Sequence, residues 1–171
     1  MRQASSATGQ NQLSQAGQRQ SEAMDTLRQM LSQIQRQDRL VAAILRRRLQ
    51  ELAEALEKLV QRQRDQIAVR KVTQDIMTLE PGQSAVRRST MVAQEQAATG
   101  SATTQPVAAV IGDAVAAQAK AIVAMRERES AAAGVGQAAA VNSLTDALKT
   151  LKKLAREAKE EAAAQDRDAL R

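Results

Sequence analysis

From about Glu22 to Leu79 the chain carries neither proline nor glycine, and apolar residues recur at Leu27, Leu31, Ile34, Val41, Leu45, Leu49, Leu52, Leu56 and Leu59. The steps between them are 4, 3, 7, 4, 4, 3, 4 and 3 residues. That is a heptad rhythm with one stutter near Leu45, which unwinds a supercoil locally without ending it. Asp38 occupies the skipped seam position, where a polar residue can set register or partner choice at some cost in stability. Beyond Leu59 the seam weakens at Gln63 and resumes at Ile67, Val72, Ile76 and Leu79. A helix over residues 22–79 would be roughly 87 Å long, more than a small globule holds, so the pattern predicts a rod.

Punctuation divides the remainder. Residues 1–20, with Ser5, Ser6, Gly9, Asn11 and Gly17, read as a disordered Gln/Ser-rich tail, with Ser21 as N-cap of the helix that follows. Pro81-Gly82 is expected to stop the first helix and turn the chain. A shorter helix follows over 84–98 with Val86, Met91 and Val92, and then a polar linker from Gly100 to Gln105. Pro106 suits the first turn of a helix over 106–132, and Gly134 with Gly136 should break it. The last helix, 137–169, has the most regular spacing: Val141, Leu144, Leu148, Leu151, Ala155, Ala158, Ala162, Gln165 and Ala169. Its exposed Lys153–Glu157 and Arg156–Glu160 spacings add i, i+4 support. The predicted fold is therefore all-α: an elongated antiparallel coiled-coil or three-helix bundle over 21–171, with a broken middle helix. The alternative is a two-helix hairpin that completes its core by dimerising. Its expected seam core is Leu45, Leu49, Leu52, Leu56, Leu59, Val141, Leu144, Leu148 and Leu151.

Composition reinforces this. The 171 residues include no Phe, Trp, Tyr, Cys or His. Without aromatic side chains, which normally dominate compact cores, aliphatic residues and alanine must do all the burying, as helix seams allow. Lacking His and Cys, the chain offers no nucleophile–base–orienter set, no thiolate chemistry and no soft metal site. A Ser–Lys dyad is formally available, but Ser143, three residues before Asp146, reads as a helix cap. Glu157, Glu160 and Glu161 interleave with Arg156 and Lys159 as a solvated face does, and Gly134-Val135-Gly136 lacks the Lys-Ser/Thr of a phosphate loop. The reading is non-enzymatic: no catalytic residue, no cofactor, no metal and no small-molecule substrate are predicted.

The net charge of +6 lies entirely between Arg28 and Lys71, where eleven basic residues face five acidic ones; elsewhere the two kinds balance. Within the basic stretch 36–64, Arg46, Arg47 and Arg48, with Arg62 and Arg64, are the candidate contacts for a polyanion, an anionic membrane surface or an acidic partner. The lack of an aromatic stacking platform disfavours nucleic acid. Other helices, by self-association or from a helical or acidic protein, are the leading partners, and peripheral membrane contact stays open. No run of about 18 apolar residues and no secretory signal pattern occurs. The compartment is left open between cytoplasm and periplasm or cell envelope.

One family pattern is visible. Gln66, Thr73 and Ile76, then Arg87 and Ala93-Gln94-Glu95-Gln96, are followed by Gly112-Asp113-Ala114, Met125 and Ala138-Ala139-Ala140 leading into Leu144, Leu148 and Leu151. Over roughly residues 50–160 this resembles the C-terminal coiled-coil regions of predicted envelope-associated proteins of planctomycete-type bacteria. The resemblance implies a helical, non-catalytic envelope or scaffold role, in which this chain would be one part of a longer, membrane-anchored protein.

Overall fold

The computed structural model describes the backbone of residues 2–168 and the side-chain surroundings of residues 15, 17–164 and 167. Among these residues there are four α-helices and no strand: α1 (Arg2–Val72), α2 (Glu80–Gly100), α3 (Gln105–Arg126) and α4 (Ser130–Asp168). The chain forms two compact units, Met1–Ala43 and Ile44–Arg171, whose boundary falls inside α1.

The first unit is helical from Arg2, where a disordered tail was expected to Gln20. Ser21 accordingly lies inside a helix and caps nothing. Its stretch from Glu22 to Ala43 holds local interactions: Arg28 pairs with Asp25 at 3.2 Å, and the hydroxyls of Thr26 and Ser32 donate to the carbonyls of Glu22 and Gln29.

The second unit is an antiparallel four-helix bundle of α2, α3, α4 and the α1 residues from Ile44. One continuous core takes Leu49, Leu52, Leu56 and Leu59 from α1 and Val86, Ala93 and Ala97 from α2. To these it adds Val107, Ile111 and Ala114 from α3 and Leu144, Ala147 and Leu151 from α4. Paired contacts run in opposite order along the chain: Glu80 with Arg126 and Thr90 with Gln118 between α2 and α3, and Glu57 with Lys152 and Arg70 with Gln137 between α1 and α4. The break expected in a returning helix is thus a full reversal, and α2 and α3 are separate columns.

Each turn has its own chemistry, and two differ from the expected positions. The first turn comes at Thr73–Asp75, not at Pro81-Gly82. Asp75 Oδ1 accepts the Met77 N–H at 3.2 Å and starts a single 3₁₀ turn, Ile76–Leu79. Pro81 then sits in the first turn of α2, where a missing N–H costs nothing. At the second turn the Thr104 hydroxyl donates to the Ala97 carbonyl at 2.6 Å and accepts the Ser101 N–H at 3.2 Å. The third turn falls at 127–129, ahead of Gly134 and Gly136. The Glu129 N–H bonds to Ala124 O at 2.8 Å and the Arg128 N–H to Met125 O at 3.2 Å, with Arg128 left-handed at φ 61°. This is a Schellman cap built without glycine.

Both glycines instead lie within α4 and let neighbours approach. A Cβ on Gly136 would lie 2.9 Å from Ala117 O and Ala121 N of α3, and one on Gly134 would meet the Arg70 guanidinium. Ser143 also lies inside α4 and is not a cap. Of the expected seam, Leu49, Leu52, Leu56, Leu59, Leu144 and Leu151 are buried, while Leu45, Val141 and Leu148 are half-buried. Gln165 and Ala169 lie outside the residues whose surroundings are described.

By length and composition Ala102–Arg126 would suffice to cross a membrane. A core helix passes the same test, and here Val107, Ile111, Ile122 and Met125 are buried within the bundle.

Candidate functional site

Three regions carry features beyond ordinary packing: the first unit's apolar stripe, the basic stretch, and a polar layer inside the bundle.

On α1 before Ile44, the stripe has the same 3–4 spacing that is buried farther along the helix, yet it faces solvent. Leu27 is 65% exposed, Leu31 57%, Ile34 55% and Val41 64%. Met24 and Met30 lie on the same side, also half exposed or more. Burying a leucine or isoleucine side chain is worth about 1.5–3 kcal/mol, so this stripe forgoes several such gains in the isolated chain. Asp38, at the seam's polar position, is exposed and has no hydrogen bond or ion pair among the described residues. Single exposed leucines need no explanation; these recur on one side of the helix.

The basic stretch does not form one patch. Arg46 is half-buried and engaged in an interaction. Arg47 donates Nε to Glu51 Oε1 at 2.8 Å, and that hydrogen bond, with the attraction of the carboxylate, raises its pKa further above the ordinary guanidinium value. Arg48 borders a cavity of about 530 Å³ between α1 and the α2–α3 turn, shared with Leu45, Leu49, Leu52, Gln96 and Thr99. Arg62 and Arg64 are exposed, about 24 and about 27 Å along the helix axis from Arg46. Glu51, Glu54 and Glu57 intervene, and Glu57 accepts an ion pair from Lys152 of α4 at 2.6 Å. The Lys153–Glu157 and Arg156–Glu160 pairs form at 3.8 and 2.8 Å.

The polar layer escaped sequence reading. Gln63, Gln83, Gln118 and Gln137, one from each helix, are each 0% exposed, as is Thr90. Gln63 Nε2 donates to Gln83 Oε1 at 3.0 Å, and Gln83 Nε2 donates back at 2.9 Å. Gln118 Nε2 donates to Gln63 Oε1 at 3.0 Å and to Thr90 Oγ1 at 3.1 Å. Gln137 Nε2 donates to Gln83 Oε1 at 3.0 Å, while its own Oε1 accepts Arg70 Nε at 2.9 Å. Arg70 also reaches Ser130 O at 3.0 Å, at the start of α4. The layer separates the main apolar core from a smaller cluster of Ile76, Ala124, Met125 and Ala133 at the bundle end. Each amide fits only if all four helices share one register, because a slip strands buried donors and acceptors at about 1–3 kcal/mol apiece. Gln118 Oε1 has no protein partner.

Compared with known proteins, the chain matches no family model, no curated protein and no solved structure. The functional reading therefore rests on these surfaces.

Proposed function

We propose that this protein is a non-enzymatic helical interaction module, in which a register-locked four-helix bundle carries an α1 segment that seats against another helix in coiled-coil fashion. The observation that carries this reading is the exposed row Leu27, Leu31, Ile34 and Val41. Its narrow 3–4 spacing suits a partner helix better than a broad lipid face. The glutamine layer supports a structural reading of the second unit, since it holds the four helices of that bundle to one register. A scaffold or oligomerisation role follows. The resemblance over residues 50–160 supports a structural part in a larger envelope-associated bacterial protein.

The polyanion alternative through residues 36–64 gains little support from the geometry. Arg47 is already paired, acidic residues interleave, and the arginines are spread along the helix.

Site-resolved photo-crosslinking in the native cell tests the reading. A photoreactive residue at Leu31 should give a discrete protein adduct, whereas one at Gln33, on the opposite side of the helix, should not. Equal adducts from both positions, or none from Leu31, would refute it.

A further inference from the structure

Resting on that reading, we infer that the partner of residues 24–41 is the same stretch of a second copy of this chain, packed antiparallel to it. The seam positions Met24, Leu27, Leu31, Ile34, Asp38 and Val41 are separated by steps of 3, 4, 3, 4 and 3 residues. This spacing reads the same in both directions, so a reversed copy presents an identical row. Superposing the rows sets Met24 against the second copy's Val41, Leu27 against its Asp38 and Leu31 against its Ile34, each contact occurring twice about a two-fold axis.

Asp38 decides the direction. A parallel, in-register pair would stack two Asp38 carboxylates in an apolar seam, where like charges repel strongly. In the antiparallel pair each Asp38 faces Leu27 of the second copy, and that copy's Arg28 follows one residue later. Asp38 has no partner among the described residues, and Arg28 holds an exposed ion pair with Asp25 that leaves guanidinium donors over. The flanking positions Gln35 and Gln37 are neutral, so nothing along the edges opposes the approach. Between Arg19 and Arg39 there are four arginines and three acidic residues. That near-balance fits a protein helix, not an anionic lipid surface, which selects a strongly basic polar face. Six seam residues per copy make a small interface, so the dimer should be reversible with a Kd on the order of micromolar.

Sedimentation equilibrium of the full chain should show a monomer–dimer equilibrium, with helicity by circular dichroism as the folding control for every variant. Asp38→Arg should weaken association at least tenfold, and Arg28→Asp in the same chain should restore it. Because the chain has no cysteine, Ser21→Cys takes a single spin label. The antiparallel register puts two such labels about 35 Å apart along the axis, whereas a parallel pair brings them close together. A short label distance, or no rescue by the charge swap, would overturn the inference. So would a strict monomer. A monomer whose Leu31 photo-adduct is a different protein sinks self-pairing and leaves the interaction reading standing; a monomer with no adduct sinks both.

Discussion

The two halves of α1 carry the same apolar rhythm and meet opposite fates. From Leu49 to Leu59 the stripe is buried by three other helices; from Leu27 to Val41 it is exposed. Periodicity therefore states that a face needs cover and says nothing of who supplies it. In the second unit the cover is intramolecular, because α2, α3 and α4 follow within the same chain through tight turns. In the first unit, no described residue covers the stripe.

Matched truncations should sharpen this contrast most. Leu56→Ala, at a fully buried site, should destabilise the bundle by about 2–5 kcal/mol in urea unfolding followed by circular dichroism. Leu31→Ala should shift the same transition by less than about 0.5 kcal/mol at concentrations where the chain is monomeric. Equal losses would erase the distinction between the two halves.

The polar layer gives the next effect. Gln63→Ala removes the partner of both Gln83 and Gln118, and should cost about 2–4 kcal/mol from stranded amides plus the void. Replacing Gln63, Gln83 and Gln118 by leucine, with Gln137 and Arg70 replaced by leucine as well, should bring stability back near the parent, because neither an amide nor the Arg70 guanidinium that Gln137 accepts is then left unpaired. That variant should nonetheless show poorer dispersion in its amide NMR spectrum, since the register lock is gone.

Smaller again is the helix crossing. Gly136→Ala places a methyl against the α3 backbone and should destabilise by about 1–3 kcal/mol. Arg128→Gly should do the reverse and raise stability by about 1 kcal/mol, by relieving the left-handed residue of its Cβ.

The smallest effect is electrostatic. Arg126 donates to Glu80 at 2.8 Å, linking the end of α3 to the start of α2. That hydrogen bond lowers the Glu80 pKa below the usual carboxylate value, against the opposing effect of partial desolvation. A depressed folded-state pKa stabilises the native state above the unfolded-state value of about 4.3, and the gain fades as pH falls through the folded value. Glu80→Gln should accordingly narrow the stability difference between pH 6 and pH 3 in thermal melts, while leaving the pH 3 melt nearly unchanged.

Much of the architecture was legible because helices announce themselves through local spacing. The leucines from Leu49 to Leu59 and the Leu144–Leu151 run declared their burial by period alone, and the all-α class followed. What stayed hidden is long-range or chemically disguised. Glutamine on a helix reads as surface, and nothing local to Gln63 signals amides 20, 55 and 74 residues away. Gly134 and Gly136 drew the helix break toward themselves because glycine serves both turns and close approaches. The actual break lies at Glu127–Glu129, where a left-handed arginine does a glycine's work. Pro81 misled in the same way, since proline marks helix starts as well as stops; Asp75, a good cap residue, was the available signal. The candidate contact surface was legible as a seam, but its exposure was not.

Amide hydrogen exchange along α1, measured as a function of protein concentration, distinguishes a stripe covered by a second copy from one covered within the chain. Protection at residues 24–41 should rise as concentration passes through the micromolar range, while protection at residues 49–63 stays constant. A profile in which both stretches are equally protected at every concentration, or in which residues 24–41 never gain protection, would rule out pairing of this stripe between copies.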